Sequence, residues 1–98
     1  MSDWTKINAR IELSISDDID VFMESLTQEA PKITGSEGNA RMIILLNRYD
    51  EPFSEITIKI FGNLRDRTKE DTEIEYNELI QWLNNNSCMI RQAFCFLA

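Results

Sequence analysis

The chain has 98 residues, of which 43% are hydrophobic and 28% are charged, and its formal net charge is −7. This length fits one domain, so we expect residues 1–98 to form a single compact unit with a modest core. A pI near 4.5 argues against a general nucleic-acid binder and against a protein that binds anionic membranes.

The N-terminal segment alternates between apolar and polar residues. Every second residue from Ile7 to Ile15 is apolar, and polar residues stand between them. This period of two predicts a strand over 4–15 with one buried face. Ser16 is the predicted N-cap of a helix over 17–29. The helix has a core-facing stripe of Ile19, Phe22, Met23 and Leu26.

The middle of the chain predicts a hairpin. A loop over 31–40 contains two of the three glycines, and the apolar run 42–46 follows it. A continuous apolar run predicts a strand that is covered on both faces. The next segment alternates again, so the predicted strands cover 41–49 and 53–61 and are joined by a turn at 50–52.

The segment after the hairpin leaves two interpretations open. Gly62 is predicted to end the strand, and residues 64–71 are too polar for a core element, so they form either an irregular loop or a solvated extension of the hairpin. Either Thr72 is the N-cap of a second helix, with a capping box, or a short strand over 73–76 precedes a helix from Asn77. Both interpretations share a core-facing stripe of Tyr76, Leu79, Ile80 and Leu83 and an end at Asn84, Asn85 and Asn86.

Residues 88–97 predict a last strand, which gives the element order β-α-β-β-α-β. The economical architecture for that order is a ferredoxin-like sandwich, an α+β fold with two helices on one face of an antiparallel sheet. Its first and third strands are central, and the other two are edges. An extra short strand near 64–76 is the main alternative. This fold hosts many functions, so it selects none.

The residues that most often perform catalysis are scarce. The chain has no histidine, so neither Cys88 nor Cys95 has a histidine partner for nucleophilic catalysis. The acidic run over 66–75 is interrupted by two basic residues and lacks a calcium-binding spacing. We therefore expect no enzyme activity, no cofactor and no bound metal.

The two cysteines are predicted to be free thiols. On one strand their Cα atoms would lie roughly 23 Å apart, at about 3.3 Å per residue, which is too far for a disulfide. Buried free thiols are typical of a reducing compartment, and no signal peptide or membrane span is visible. The expected location is the cytoplasm.

The polar side of the first strand predicts a basic strip rather than a nucleic-acid site. Ferredoxin-like RNA binders place aromatic residues on two central strands, whereas here the outward positions are Lys6, Asn8, Arg10 and Glu12. Salt bridges to Glu12 and Glu55 are a simpler use of these cations. We expect no direct nucleic-acid binding. The strip would consist of Lys6, Arg10, Lys59, and Arg41 or Arg48.

The strongest charge asymmetry lies in the helical segments. Residues 16–29 carry a local charge of −5 and residues 66–78 carry −4. If both helices cover one face of the sheet, they form a negative surface that would attract a basic protein and mimic nucleic acid. The alternative is that these acids serve solubility and the helix dipoles. The candidate partner-binding residues are Asp17, Asp18, Asp20, Glu24, Glu70, Asp71, Glu73 and Glu75.

The C-terminal strand has apolar residues on both sides from Phe94 to Leu97. An edge strand in such a sandwich is covered on one side only. Either this strand is more central, or its outer face contacts another chain and is a candidate homodimer surface. A third interpretation is that the helices and Trp4 cover it.

These features favour a small acidic, non-enzymatic protein-interaction module that docks on a basic protein surface. Short, histidine-free acidic domains resemble, in general character, inhibitor, immunity and phage or mobile-element accessory proteins, although no motif supports the resemblance. The alternative is an oligomeric regulatory domain that senses a small molecule at its subunit interface. An enzyme that uses carboxylates is the least favoured interpretation.

Overall fold

The computed structural model describes residues 3–16, 18–50, 53–86 and 88–98, without the side chains of 48–50. Four strands and two helices follow one another in the order β-α-β-β-α-β. They are β1 (Trp4–Ile15), α1 (Ile19–Gln28), β2 (Arg41–Asp50), β3 (Phe53–Arg65), α2 (Lys69–Asn84) and β4 (Cys88–Leu97).

The four strands form one antiparallel sheet in the order β2-β3-β1-β4. This order confirms the predicted α+β, ferredoxin-like fold, with β1 and β3 in the centre and β2 and β4 at the edges. Ile11 of β1 lies opposite Ile58 of β3, which lies opposite Ile44 of β2. Residues in one such row share a face of the sheet, and this row faces the helices.

The core lies between this face of the sheet and the two helices. Phe22 of α1 and Trp82 of α2 approach with their ring centroids 6.4 Å apart, so the helices contact each other as well as the sheet. Burying one aliphatic side chain contributes about 1.5–3 kcal/mol, so this layer dominates the stability. The largest fully buried side chains are Ile7, Ile11, Leu13, Ile15, Leu26, Ile56, Ile58, Ile60, Leu64, Leu79, Leu83 and Thr5.

The first helix begins later than predicted. Asp18, and not Ser16, is the N-cap, because its Oδ1 accepts hydrogen bonds from the amides of Asp20 (2.8 Å) and Val21 (3.3 Å). A carboxylate at this position satisfies free amides and also interacts with the positive end of the helix dipole. Asp17 lies outside the described residues.

The extra strand considered near 64–76 is wrong. The third strand does not stop at Gly62 but continues to Arg65, which pairs with Trp4 at the start of β1. The reason is tertiary: β1 begins at Trp4 and offers pairing partners to this polar stretch. Strand pairing therefore overrides the local preference of Gly62 and Asn63 to end the strand.

The second helix begins earlier than both predicted starts, Thr72 and Asn77, which are wrong. Its N-cap is Thr68, whose hydroxyl accepts a hydrogen bond from the amide of Asp71 at 3.1 Å. The Asp71 carboxylate accepts one in return from the Thr68 amide, so the two residues form a capping box. Because the capping box fixes the first turn at Thr68, the polar residues from Lys69 onward are helical.

The prediction that β2 is covered on both faces is wrong. The strand lies at an edge of the sheet, and the helices pack over the centre. Met42, Ile43, Leu45 and Leu46 are 38%, 45%, 42% and 56% exposed. Neither helix in the described part of the chain has the length and apolar character that a bilayer span requires.

Candidate functional site

The face of the sheet that points away from the helices, called the open face below, has no covering layer among the described residues. Twelve large apolar side chains are exposed in the described chain, and eight of them lie on this face. Their exposed fractions range from 36% to 63%. They are Trp4, Ile43, Leu45, Phe53, Phe61, Met89, Phe94 and Phe96.

The register of the sheet brings aromatic and basic side chains together near the middle of the open face. Arg10 of β1 lies between Phe94 of β4 and Lys59 of β3. Lys59 in turn lies opposite Ile43 of β2, so this row crosses all four strands. None of its four residues is acidic.

The neighbouring row has the same character. Asn8 of β1 lies between Phe96 of β4 and Phe61 of β3, and Phe61 lies opposite Arg41 of β2. The three phenylalanines of the two rows therefore surround a small polar centre. These two rows present cations and aromatic rings, and none of their residues has a carboxylate.

The rows between Arg10 and Phe53 contain two carboxylates among the described side chains, and both are paired. Glu12 Oε1 lies 3.0 Å from Arg10 Nη2, and Glu55 Oε1 lies 2.7 Å from Arg91 Nη1. The described part of the open face therefore has more cations than acids. Its cations are Lys6, Arg10, Arg41, Lys59, Arg65 and Arg91.

One end of the open face is fixed by Trp4 and Arg65. The two residues lie opposite each other, and the guanidinium lies over the indole ring at 5.9 Å from its centroid. Arg65 Nη1 also donates to Glu37 Oε1 at 2.6 Å. This cation–π contact holds an exposed aromatic side chain in a defined position.

The predicted acidic residues lie on the opposite side of the molecule, on the outward sides of α1 and α2, called the helical layer below. One carboxylate oxygen of Asp18 caps α1, and Gln28 Nε2 donates a hydrogen bond to Glu24 Oε1 at 3.4 Å. Asp18, Asp20, Glu24, Glu70, Asp71 and Glu73 are exposed, and none forms an ion pair with a described residue.

Glu75 differs from the other predicted site residues because it is largely buried and connects two segments that are distant in sequence. Its carboxylate accepts hydrogen bonds from the Thr34 amide (2.9 Å) and hydroxyl (2.8 Å) and lies 3.5 Å from Arg67 Nη2. Its side chain is only 17% exposed. Arg67 also receives a hydrogen bond from Thr5 at its carbonyl oxygen. Glu75 thus joins the loop after α1 to α2.

The cysteines are free, as predicted, and half-buried on β4. Burial raises the pKa of Cys88 to about 11, and the Cys88 thiol donates to the Leu83 carbonyl oxygen at 2.7 Å. Burial, with the charge of Glu73 as a smaller cause, also raises the pKa of Cys95. Both groups are therefore protonated at neutral pH and unreactive as nucleophiles.

The described residues contain no group of three or more acidic, cysteine or histidine side chains that would hold a metal ion. No protein-family model, curated protein or solved structure matches the chain. The open face and the helical layer are therefore candidate sites on the grounds of their geometry.

Sequence patterns predict the helical layer and the basic strip of the open face, but they miss the exposed apolar side chains of that face. The available signal was the C-terminal strand, in which Phe94 and Phe96 alternate with Cys95 and Leu97. That strand is an edge, so the prediction of a more central place is wrong. Trp4 does not cover it, since Trp4 is itself 54% exposed on the open face.

Proposed function

We propose that the chain is a non-enzymatic protein-interaction module that docks through its open face. The observation that carries the proposal is the set of eight exposed apolar side chains on one side of the sheet. Exposed apolar side chains that are concentrated on one face mark an interaction site, because a monomer gains nothing by exposing them.

The composition of the open face is that of a protein interface. Aromatic residues, methionine and arginine are enriched at such interfaces, and aromatic and arginine side chains supply most of their binding energy. Phe61, Phe94 and Phe96 project from paired strands rather than from loops. Less ordering entropy is therefore lost when a partner contacts them.

The charges of the open face favour an acidic partner surface. Lys59 and Arg41 lie in rows without carboxylates, and Lys6 lies nearby on β1, whereas Arg10 is paired with Glu12. The complementary surface has apolar pockets flanked by carboxylates. This partner differs from the basic protein expected from the helical acids, because the cations of the chain are concentrated on the face that also exposes the aromatic rings.

A protein partner explains the open face better than a single-stranded nucleic acid. A single-stranded nucleic acid binds by stacking its bases on aromatic rings and by contacts of its phosphates with cations. Ile43, Leu45 and Met89 are neither aromatic nor cationic. The whole chain carries −7, which opposes the approach of a long polyanion. These features weaken attraction to phosphates and leave apolar contact as the main source of affinity.

The helical layer is a second candidate surface, for a basic protein. Six exposed carboxylates there have no cationic partner among the described residues, so their field extends into solvent. A module of this kind would act as an inhibitor or immunity protein by covering a basic site, including a nucleic-acid-binding site. Binding through this surface would fall steeply as salt is added.

Affinity capture with matched variants tests the proposal. The open-face variant combines Phe61→Ser, Phe94→Ser and Phe96→Ser. Its control combines Val21→Ser and Ile74→Ser, which remove exposed apolar side chains from the helices. A charge variant, Glu24→Lys with Glu73→Lys, tests the helical layer.

The proposal predicts one protein that the wild type, the control and the charge variant retain and that the open-face variant loses. Retention should survive nuclease treatment of the lysate. Loss on nuclease treatment would assign the open face to nucleic acid instead. If only the charge variant loses the captured protein, the docking surface is the helical layer. If neither the wild type nor any of the variants captures a protein, the proposal is contradicted.

A further inference from the structure

The edge strand β2 presents an apolar segment that remains largely exposed in the monomer. Residues 42–46 are all apolar, and four of them are 38–56% exposed. The outer edge of β2 also has unpaired backbone groups, because its neighbour β3 lies on one side only. A long, flat, apolar edge of this type pairs readily with another strand.

An apolar groove lies between α1 and β2 on the helical side of the sheet. It consists of two depressions of about 220 Å³ and 280 Å³, and Ile44 lines both. Met42 and Leu26 line the first, and Leu46 and Met23 line the second. The helix is therefore too far from the edge strand to fill the space above it.

We propose that a second copy of the chain pairs with β2 in antiparallel orientation about a two-fold axis at Ile44. In this register Met42 lies opposite Leu46 of the second copy, and Ile43 lies opposite Leu45. Every row of the segment then pairs apolar side chains on the same face. Antiparallel neighbours in such rows stabilise a sheet, and no like charges meet among them.

The charges at the two ends of the groove support a second copy over an unrelated strand. Asp20 lines the groove at its Leu46 end, and Lys32 lines it at its Met42 end. The two-fold axis reverses one copy, so Lys32 of each copy approaches Asp20 of the other. The groove is thus self-complementary in charge as well as in apolar surface.

Dimerisation through β2 would place two open faces side by side, although the proposed function does not require a dimer. The two four-stranded sheets would become continuous, and both open faces would point to the same side. A partner with repeated sites would then bind two modules at once and gain avidity. The predicted homodimer through the C-terminal strand is the competing arrangement.

Light scattering and cysteine crosslinking test the dimer in the full chain. Ile44→Cys places two thiols opposite each other across the axis and should form an intermolecular disulfide on mild oxidation. Gln92→Cys on β4 is the matched edge control and should crosslink no more than the wild type. More crosslinking at Gln92→Cys, or a strict monomer for the wild type, would overturn the proposal.

Charge reversal tests the register. Asp20→Lys and Lys32→Glu should each weaken dimerisation at least tenfold, and the double variant should recover most of the loss. Circular dichroism checks that each variant is folded. A dissociation constant that stays at the wild-type value in both single variants would contradict the arrangement.

Discussion

Arg10 of β1 and Phe94 of β4 lie directly opposite each other on the open face of the sheet. The phenylalanine ring is 60% exposed, and the Arg10 guanidinium is held by Glu12 at 3.0 Å. A monomer gains no stability from exposing the Phe94 ring to solvent beside a cation that is held in place. The pair illustrates why the open face, rather than the acidic helical layer, is the proposed docking surface.

The exposed phenylalanines should be dispensable for folding. Phe94→Ser with Phe96→Ser should lower the free energy of unfolding by less than about 1 kcal/mol per residue, as expected for surface positions of a strand. Leu13→Ala, in the core, should cost about 2–5 kcal/mol. Urea denaturation measures both. A loss for the phenylalanines equal to that for Leu13 would assign them to the fold.

Glu75 should contribute to stability, unlike the exposed acids near it. Glu75→Ala removes the acceptor of the Thr34 amide and hydroxyl and should cost about 1–3 kcal/mol. Glu73→Ala is the control and should change stability by less than about 0.5 kcal/mol. Thermal or urea unfolding gives the comparison. Equal effects would show that the Thr34 contacts do not stabilise the fold.

The N-cap of α1 should be detectable by mutation. Asp18→Ala should lower the free energy of unfolding by about 1 kcal/mol, because two amides lose their acceptor. Ser16→Ala should change it by less than about 0.5 kcal/mol, since Ser16 is exposed and precedes the cap. If Ser16→Ala has the larger effect in urea unfolding, the helix begins where the sequence pattern placed it.

Stability should fall in alkaline solution. Burial raises the pKa of Tyr76 from 10.0 to about 12 and that of Cys88 from 9.0 to about 11. As the pH rises, the unfolded chain therefore loses these protons at a lower pH than the folded chain does. The contribution of the two groups to the free energy of unfolding is fully present below about pH 9 and is lost as the pH approaches 12. Urea midpoints from pH 7 to pH 11 measure the decline.

Tyr76→Phe is the matched variant for this alkaline effect. It keeps the buried ring and removes the ionisable hydroxyl, so its stability should fall less between pH 10 and pH 11 than that of the wild type. The same slope for both proteins would show that burial of Tyr76 does not cause the decline.

Much of the fold could be predicted because its pattern is local. The alternation in β1 and the stripe of Phe22 and Leu26 in α1 each follow from residues close in sequence. Errors arose where distant partners decide the structure. The third strand passes Gly62 because Trp4 and its neighbours pair with it, and no local pattern contains that information.

The candidate site was less predictable than the fold, because it depends on register. Phe94 and Phe96 share a face with Arg10 and Lys59 only because β4 pairs with β1 in one alignment, which includes a shift after Glu12. A shift by one residue would turn both rings toward the helices. The helical acids were predicted from their charge alone, and charge does not show which surface lacks cover.

The most direct test of the docking surface is a nuclear magnetic resonance titration of the labelled chain with the captured partner. If the partner docks on the open face, the ring signals of Phe61, Phe94 and Phe96 should shift or broaden, while the methyl signals of Val21 and Ile74 should keep their positions. Changes confined to the methyl groups of Val21 and Ile74, with the ring signals unchanged, would contradict docking through the open face.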